Sequence, residues 1–442
     1  MSDSSGAVIS TASYTPDGQM SGMTGPSWGT ESRSYNSILQ LKQLTSPGLN
    51  IQYNYPATGN NGKISSQTDI VSGEQISYVY DSLNRLASAT SSQSWSQTFT
   101  FDGFGNLTNV AGVNAPGLGV TYNGGTNQQT TDCADANGNI FGLASCAGSN
   151  AYTYDIENRL TAPANAGGMR YSYATGNKRV WRGNGSSTDE VAYWNPSGQK
   201  LSAYALSSNS GALVGTQVSA DYYFGTRLIK NANGWVYQDR LGSIGKFYPF
   251  GLERSGTANG TEKFTGYFRD AETGLDYADQ RYEQPGMGRF LTTDPSSGSG
   301  QAFDPGTWNL YAYVGGDPIS RTDPTGQDYC DGSGYCYDVY GNPYPDPSYG
   351  YYGYSYSDPY DYGYSDPYGY GYDSYSDPSY GTEYPDVGAA PNCGSAARPC
   401  PTTPVPVFRV VCSISLVTAF IPGIPTPFRV PALICGLVKM WM

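Results

Sequence analysis

The sequence predicts an all-β protein made of antiparallel β-hairpins that repeat along the chain. The main signal is a short motif, aromatic-Xaa-aromatic-Asp, which is followed by turn residues and a leucine. It occurs at residues 78–86, 99–107 and 152–160. Tyr80, Phe101 and Tyr122 recur at an interval of about 20 residues, which is typical of stacked units that cannot bury an apolar face alone. The period therefore predicts the architecture before any chemistry is considered.

Each repeat begins with a strand and continues into a tight turn. Ile76, Tyr78 and Tyr80 alternate with other residues, so they share one face of a strand. The Asp that follows can bond its own backbone two residues on and begin a turn, and Gly or Asn supplies the positive φ of the hairpin. Looser copies extend the pattern from near residue 10 to about residue 250. We assign residues 1–238 to these hairpin repeats.

The composition excludes several classes of enzyme. Among its 442 residues the chain has 57 glycines and 41 tyrosines but no histidine. The missing imidazole excludes Ser-His-Asp and Cys-His mechanisms and histidine metal ligands. A net charge of −13 argues against a nucleic-acid partner, because phosphate contacts need clustered Lys and Arg. We expect no nucleic-acid partner, no cofactor and no metal.

The eight cysteines fall into four close couples: Cys133 with Cys146, Cys330 with Cys336, Cys393 with Cys400, and Cys412 with Cys435. An even number and local spacing favour disulfides formed in an oxidising compartment. Free structural thiols are the main alternative. Zinc is disfavoured because the chain has no Cys-x-x-Cys pair and no histidine.

From residue 239 onward, the repeats give way to an ordered series of motifs. They read DRLGS at 239–243, YPFG at 248–251, RDAETGLDYA at 269–278, RY at 281–282, GRFLTTDP at 288–295, NLYAYV at 309–314 and DPTG at 323–326. This series closely resembles the RHS-repeat-associated core domain of bacterial YD-repeat proteins, and the preceding repeats resemble the YD repeats of the same family. We assign residues 239–326 to the core domain.

The resemblance implies a β-strand spiral that forms a shell, a core-associated plug at one end, and a variable C-terminal module after the Asp-Pro-Xaa-Gly boundary. Family shells draw on many more repeats than this chain contains. We therefore expect a partial shell, an open curled sheet with the core domain against its concave side. A large cavity sealed at both ends is not expected.

The resemblance also implies a candidate catalytic site. In toxin-bearing members the core can act as an aspartyl autoprotease, and the matching positions here are Asp294 and Asp323, with Arg289 placed to orient a carboxylate or stabilise an oxyanion. Two carboxylates held close together share a proton and divide the acid and base roles. The alternative is that both aspartates only begin turns. Gln327 departs from the family, whose cleaving members usually have leucine there.

Two further segments follow the boundary. Residues 327–404 are rich in Tyr, Gly and Ser-Asp-Pro and poor in aliphatic residues, so we expect a disordered linker that could stack through its tyrosines. Residues 405–442 form an aliphatic variable segment, uncharged from Val410 to Phe428. That length could just cross a bilayer, although three prolines would break a helix in its second half. A cargo remnant is the alternative to membrane contact.

We expect an RHS-type shell fragment that presents its C-terminal segment in bacterial competition or toxin delivery, with an immunity protein and delivery machinery as partners. The alternative is a secreted or wall-associated structural protein that contacts carbohydrate or the cell surface. Either function places the chain outside the cell or on its surface. The first residues lack a basic and apolar signal peptide, so we expect a piece of a longer gene product.

Overall fold

The computed structural model describes residues 1–345, apart from short gaps, and the backbone of two strands near the C-terminus. The gaps are residues 4–5, 143–150, 186–188, 196–197, 210–211, 296–306, 328, 332–334 and 338–342, and the two later strands cover residues 407–419 and 428–440. The chain divides into two compact units, Met1–Tyr351 and Tyr352–Met442. The described residues are almost entirely antiparallel strands and turns, with 3-10 turns at Thr175–Asn177, Phe264–Gly266 and Val314–Gly316.

The first unit begins with a long sheet of consecutive hairpins. A two-stranded ribbon, β1 (Ser2–Asp3) and β2 (Gly6–Ala7), precedes it. The eleven strands, each paired with its sequence neighbours, are β3 (Thr11–Tyr14), β4 (Met20–Gly25), β5 (Gly29–Tyr35), β6 (Leu41–Ser46), β7 (Leu49–Asn54), β8 (Ser66–Asp69), β9 (Glu74–Tyr80), β10 (Leu86–Ser91), β11 (Ser96–Phe101), β12 (Leu107–Val113) and β13 (Leu118–Gly119). The hairpin repeat predicted from the sequence is confirmed.

Smaller sheets continue the same hairpin topology. Two ribbons are formed by β14 (Cys133–Ala134) with β15 (Ile140–Gly142) and by β16 (Thr153–Tyr154) with β17 (Leu160–Ala162). A five-stranded sheet follows, with β18 (Arg170–Tyr173), β19 (Arg179–Gly183), β20 (Glu190–Trp194), β21 (Lys200–Asn209) and β22 (Ala212–Ala220). The last repeats form β23 (Tyr222–Phe224), β24 (Arg227–Asn231) and β25 (Gly234–Trp235).

The segment assigned to the core domain contains short strands joined by long ordered turns. One sheet consists of β26 (Thr261–Glu262), β27 (Phe268–Arg269), β28 (Asp276–Ala278) and β29 (Arg281–Glu283). A second consists of β30 (Arg321–Thr322), β31 (Tyr329–Asp331), β32 (Tyr335–Tyr337) and β33 (Pro343–Pro345). The chain between β29 and β30 is held by isolated bridges, including Glu283 with Phe290.

The Asp of each repeat motif organises its turn. The Asp81 carboxylate accepts the N–H groups of Leu83 and Arg85, both at 2.9 Å, and binds the Arg85 side chain at 2.7 Å. Asp102 and Asp155 hold their turns in the same way. A short polar side chain that binds backbone N–H groups two and four residues on stabilises the turn before any tertiary contact forms.

Neighbouring turns are also joined to one another along the sheet edge. The Asn106 side-chain amide donates to the Asn127 side-chain oxygen at 2.9 Å, and the Asn139 amide donates to the Asn158 oxygen at 2.8 Å. These contacts connect residues about one repeat apart, so each hairpin fixes the position of the next.

The core-domain segment packs against the aromatic inner face of the repeats. One cluster joins repeat residues with core-domain residues and contains Leu44, Tyr78, Leu86, Phe99, Phe250, Phe264, Phe290 and Tyr313, all buried. A second cluster joins later repeats to the same segment through Tyr152, Leu160, Tyr171, Leu275, Tyr277, Tyr282 and Leu291. Burial of these rings is the main favourable contribution to docking.

The first and last repeats meet. The Trp28 indole N–H donates to the Val236 carbonyl oxygen at 3.0 Å, and the Tyr237 hydroxyl donates to the Trp28 carbonyl oxygen at 2.8 Å. Arg227 pairs with the fully buried Glu31 at 2.7 Å. The last repeats thus cover apolar side chains of the first ones, a contact that the expected open sheet did not include.

The predicted disordered linker begins with ordered strands. β31, β32 and β33 lie within residues 327–345 and extend the sheet that starts at β30, while residues 346–404 of that linker lie outside the described residues. In the second unit, β34 (Val407–Ala419) pairs with β35 (Phe428–Met440) as an antiparallel hairpin. The first half of the uncharged stretch from Val410 to Phe428 is therefore a strand. In the part of the chain that is described, no helix is long and apolar enough to span a membrane.

The cysteine couples follow the hairpins. Cys133 is disulfide-bonded, and its predicted partner Cys146 lies outside the described residues. The backbone places Cys330 opposite Cys336, and Cys412 opposite Cys435. Cys393 and Cys400 are outside the described residues. The local spacing seen in the sequence thus reflects antiparallel register in the two couples whose strands are described.

Candidate functional site

Two aspartates and an arginine from separate segments meet within residues 239–326, the segment assigned to the core domain. Arg281 is the first residue of β29, Asp323 directly follows β30, and Asp294 lies in the irregular chain between these strands. The Asp294 backbone N–H donates to the Leu310 carbonyl oxygen at 2.9 Å, which anchors this irregular segment. The site thus depends on pairing between segments that are far apart in sequence.

Arg281 is the centre of the site. One of its terminal nitrogens, Nη2, lies 3.1 Å from Asp294 Oδ2 and 3.2 Å from Asp323 Oδ2. Its Nη1 donates to the Leu310 carbonyl oxygen at 3.1 Å, and the guanidinium carbon lies 3.7 Å from the centre of the Phe290 ring. Asp294 Oδ2 and Asp323 Oδ2 both contact Arg281 Nη2, so the distance between these two oxygens cannot exceed the sum of their distances to that nitrogen. The structure therefore brings Asp294 and Asp323 together.

The electrostatics of the pair favour one protonated carboxyl. Burial, together with the neighbouring Asp294 charge, raises the pKa of Asp323 to about 7 against the opposing effects of Arg281 and of backbone N–H groups. A carboxyl with that pKa carries its proton for part of the time at neutral pH. It can therefore act as a general acid where ordinary carboxylates cannot.

The peptide bond between Gly326 and Gln327 is held at both ends by this site. Arg281 Nε donates to the Gly326 carbonyl oxygen, and the Gln327 N–H donates to Asp323 Oδ1 at 3.0 Å. A cation on the carbonyl oxygen is placed to stabilise the oxyanion of a tetrahedral intermediate. A carboxyl beside the amide nitrogen is placed to protonate a leaving amine. An oxyanion donor and a proton donor thus lie on the two sides of this peptide bond.

The turn that carries this bond is tightly packed. Gly326 has φ of +75°, and a Cβ there would lie 2.7 Å from the Ala278 carbonyl oxygen. The Gln280 N–H donates to the Thr325 carbonyl oxygen at 3.1 Å, and the Tyr267 hydroxyl donates to the Asp323 carbonyl oxygen. Only glycine combines that dihedral with the close backbone approach.

Arg289, the arginine expected at the site, lies elsewhere. Its guanidinium carbon is 4.7 Å from the centre of the Tyr122 ring and 4.6 Å from that of Tyr311, and Nη2 donates to the Asn127 carbonyl oxygen at 2.8 Å. Arg289 therefore ties the core domain to a repeat turn. Sequence reasoning missed Arg281, although its motif was within the resemblance, because spacing does not show which arginine strand pairing brings to the aspartates.

Other buried acids surround the site without joining it. Glu283, two residues beyond Arg281, is fully buried and neither of its carboxylate oxygens has a hydrogen-bond partner. Burial raises the pKa of Glu283 well above its ordinary value, and the Asp276 charge adds to this. Within the described residues, no group of three or more Cys, Asp or Glu side chains is arranged to hold a metal ion.

No protein-family model matches the chain. Among curated proteins, it is 30% identical over 279 residues to the tRNA3(Ser)-specific nuclease WapA of Bacillus spizizenii. It is also 29% identical over 281 residues to the tRNA nuclease WapA of Bacillus subtilis. Each match covers 56% of this chain but only 12% of the relative. The chain thus resembles a small part of much longer proteins.

Solved structures show the same fold. The crystal structure of TcdB2-TccC3-Cdc42 matches 72% of this chain and 19% of the other, with a TM-score of 0.55 and 20% identity. The Photorhabdus luminescens Tc holotoxin pore matches with the same TM-score, identity and coverage. At this identity the likeness shows the fold alone. Together with the curated relatives, it supports the resemblance to RHS-repeat proteins.

Proposed function

We propose that this chain is part of an RHS-type shell protein that functions in bacterial competition or toxin delivery, and that it cleaves its own backbone after Gly326. The observation that carries this proposal is the contact of Arg281 with both aspartates and with the Gly326 carbonyl oxygen. The names of the relatives, nucleases and a holotoxin, support a role in toxin delivery.

The proposed reaction uses each residue in one role. Asp294 takes a proton from a water molecule as that water attacks the Gly326 carbonyl carbon. Arg281 stabilises the negative charge that develops on the carbonyl oxygen. Asp323 then donates its proton to the Gln327 nitrogen, and the C–N bond breaks. The products are a carboxylic acid at Gly326 and an amine at Gln327, so neither a cofactor nor a metal is needed.

Cleavage would separate the shell from residues 327–442. The partners that follow from this proposal are a delivery machinery outside the producing cell and an immunity protein that neutralises the released segment in its producer. An extracellular or cell-surface location follows from the same role. Contact of the C-terminal hairpin with a membrane remains a prediction from the aliphatic sequence of residues 405–442.

Intact mass of the purified full chain tests the proposal. We expect two fragments that meet between Gly326 and Gln327, and a single uncut chain for Asp294→Asn and for Asp323→Asn, because each change removes one proton-transfer group. Asp317→Asn is the matched control, since Asp317 is also a buried Asp before proline but pairs with Lys63. The control should still be cut.

Far-ultraviolet circular dichroism should show that the uncut variants retain the β-sheet signal of the cut protein. An uncut wild-type chain with a folded β-sheet signal would contradict the proposal. Cleavage that persists in Asp323→Asn would show that Asp323 is not the acid.

The rate of self-cleavage is expected to fall as pH rises through about 7, because the acid form of Asp323, whose pKa is raised to about 7, is lost in that range. The contribution of Asp323 to the free energy of unfolding also falls as pH rises. The folded state binds this proton more tightly than the unfolded chain, so Asp323 lowers stability progressively from about pH 4 to about pH 7. Rates of fragment formation measured from roughly pH 5 to 9 check the prediction. A rate that rises through neutrality would assign the acid to another group.

A further inference from the structure

A second cluster of charged side chains lies in the last repeats, away from the aspartate pair. Lys200, the first residue of β21, places its Nζ 2.6 Å from Glu262 Oε1 and 3.3 Å from Asp221 Oδ2. The side chains of Lys200, Asp221 and Glu262 are 14%, 1% and 11% exposed. A lysine amine is thus held against two carboxyl groups almost out of contact with solvent.

Asp221 differs from the other acids that face a lysine. It joins β22 to β23, and its backbone N–H donates to the Leu201 carbonyl oxygen at 2.9 Å, which fixes it beside the start of β21. Apart from the Lys200 amine at 3.3 Å, no group of the described residues donates a hydrogen bond to its carboxylate oxygens. Burial raises the pKa of Asp221 to about 6; Lys200 opposes the shift and Glu262 adds to it. Its carboxyl group therefore faces the Lys200 amine without other hydrogen bonds that would have to break before the two groups react.

Glu262 is positioned to move protons. Its Oε2 accepts a hydrogen bond from the Asn231 side-chain amide at 3.0 Å, while Oε1 faces the Lys200 amine. The Phe268 ring, whose centre is 4.5 Å from Lys200 Nζ, covers another side of the amine. Burial, an acid–base partner and a carboxyl group held next to the amine, here with Asp221 Oδ2 3.3 Å from Lys200 Nζ, favour attack of an amine on a carboxyl carbon.

We propose that Lys200 and Asp221 form an intramolecular isopeptide bond, with Glu262 as the proton carrier. Lys200 passes one proton to Glu262 and attacks Cγ of the neutral Asp221 carboxyl. The C–N bond forms, and the C–O bond breaks as Glu262 returns the proton to the departing hydroxyl, which leaves as water. Glu262 then takes the remaining amine proton and ends the reaction protonated beside the new amide. No oxidant, cofactor or second substrate is required.

The surroundings suit both the proton transfer and the loss of water. Burial alone would lower the pKa of Lys200, but Glu262 and Asp221 raise it, so the proton must go to Glu262 before attack. Lys200 and Glu262 line a cavity of about 340 Å³ between the repeats and the core domain. The water formed has room to leave into this cavity. That volume lies within the range of about 300–1,000 Å³ common for ligand sites.

Other buried lysines lack this arrangement. Lys63 pairs with Asp317, Lys178 with Asp279 and Lys263 with Glu253, each with a single carboxylate. In such a pair, one carboxylate cannot be both the electrophile and the proton carrier. Lys178 also lines the same cavity, so it provides a matched control for Lys200.

The link would add a covalent closure to the last repeats. It would join the start of β21 to the β22–β23 connection and close the long hairpin formed by these strands. A covalent closure of this kind restricts the unfolded chain, as a disulfide does, but resists reduction.

Mass spectrometry of the full chain, after reduction of its disulfides, tests the proposal. We expect the chain, or its fragment that ends at Gly326 if self-cleavage occurs, to be lighter than its sequence by the mass of one water molecule. Tryptic digestion should yield a branched peptide that joins Lys200 to Asp221. Lys178→Arg should keep the loss of water.

Three variants separate link formation from a folding defect. Lys200→Arg and Glu262→Gln should restore the full sequence mass. Asp221→Asn retains a carbonyl carbon of the same geometry and should lose ammonia in place of water. The proposal would be overturned if the wild-type chain had the full mass of its sequence and gave separate tryptic peptides for Lys200 and Asp221. A loss of water that persists in Asp221→Asn would also overturn it.

Discussion

Replacing Arg281 with methionine is expected to abolish self-cleavage and to lower the free energy of unfolding by about 3–5 kcal/mol, the usual cost of removing one partner from a buried charge network. Asp294 and Asp323 would lose the nitrogen that they share, and the Gly326 carbonyl oxygen would lose its donor. Loss of one oxyanion donor alone slows comparable reactions by about 100-fold or more. Urea unfolding and the rate of fragment formation measure the two effects.

Arg289→Met is the matched control, because it removes an arginine from the same part of the core domain. Arg289 contacts two aromatic rings and one carbonyl oxygen, and it forms no ion pair with the described residues. Self-cleavage should therefore persist. If Arg289→Met stopped cleavage while Arg281→Met did not, Arg289, and not Arg281, would be the residue that stabilises the oxyanion.

The second large effect is expected at the ion pair between Arg179 and Asp270. Arg179 belongs to β19 in the repeats, and its terminal nitrogens donate to both Asp270 oxygens at 2.6 Å. Its guanidinium carbon lies 4.6 Å from the ring centres of both Tyr171 and Tyr277. Asp270 is fully buried in the core domain. Arg179→Met would leave this carboxylate without its charged partner, although the Tyr171 hydroxyl still donates to it at 3.0 Å, at a cost of about 3–5 kcal/mol.

Urea unfolding of Arg179→Met measures that loss, and two further variants interpret it. Arg182→Met removes a neighbouring arginine whose pairs with Glu190 and Glu272 are longer and partly exposed, so it should cost about 1 kcal/mol or less. Replacing Arg179 by Met and Asp270 by Leu together should recover much of the loss, because no unpaired charge remains. Equal losses in Arg179→Met and Arg182→Met would show that packing of the long side chains, not charge pairing, holds the core domain.

The hairpin architecture could be predicted because its determinants are local. An Asp that binds N–H groups two and four residues on, a glycine or asparagine with positive φ, and alternating aromatic residues such as Tyr78 and Tyr80 all act within one repeat. The interval of about 20 residues between these motifs then indicates that neighbouring units stack. The proximity of Asp294 and Asp323 could be predicted because the residues around them form recognisable motifs.

The residues that complete the site could not be predicted in the same way. Arg281 meets Asp294 and Asp323 through contacts between segments 13 and 42 residues away in sequence, and motif spacing does not distinguish it from Arg289.

By itself, the sequence determined the repeating β-hairpin and indicated that Asp294 and Asp323 form a close pair, since both inferences depend on interactions or motifs within short segments. The tertiary structure alone decided that Trp28 packs against Val236 and Tyr237, that Arg281 holds the boundary peptide, and that Lys200 faces Asp221 and Glu262. The physical reason is that side-chain packing and strand pairing between distant segments choose among several chemically suitable partners. A local pattern contains no information on that choice.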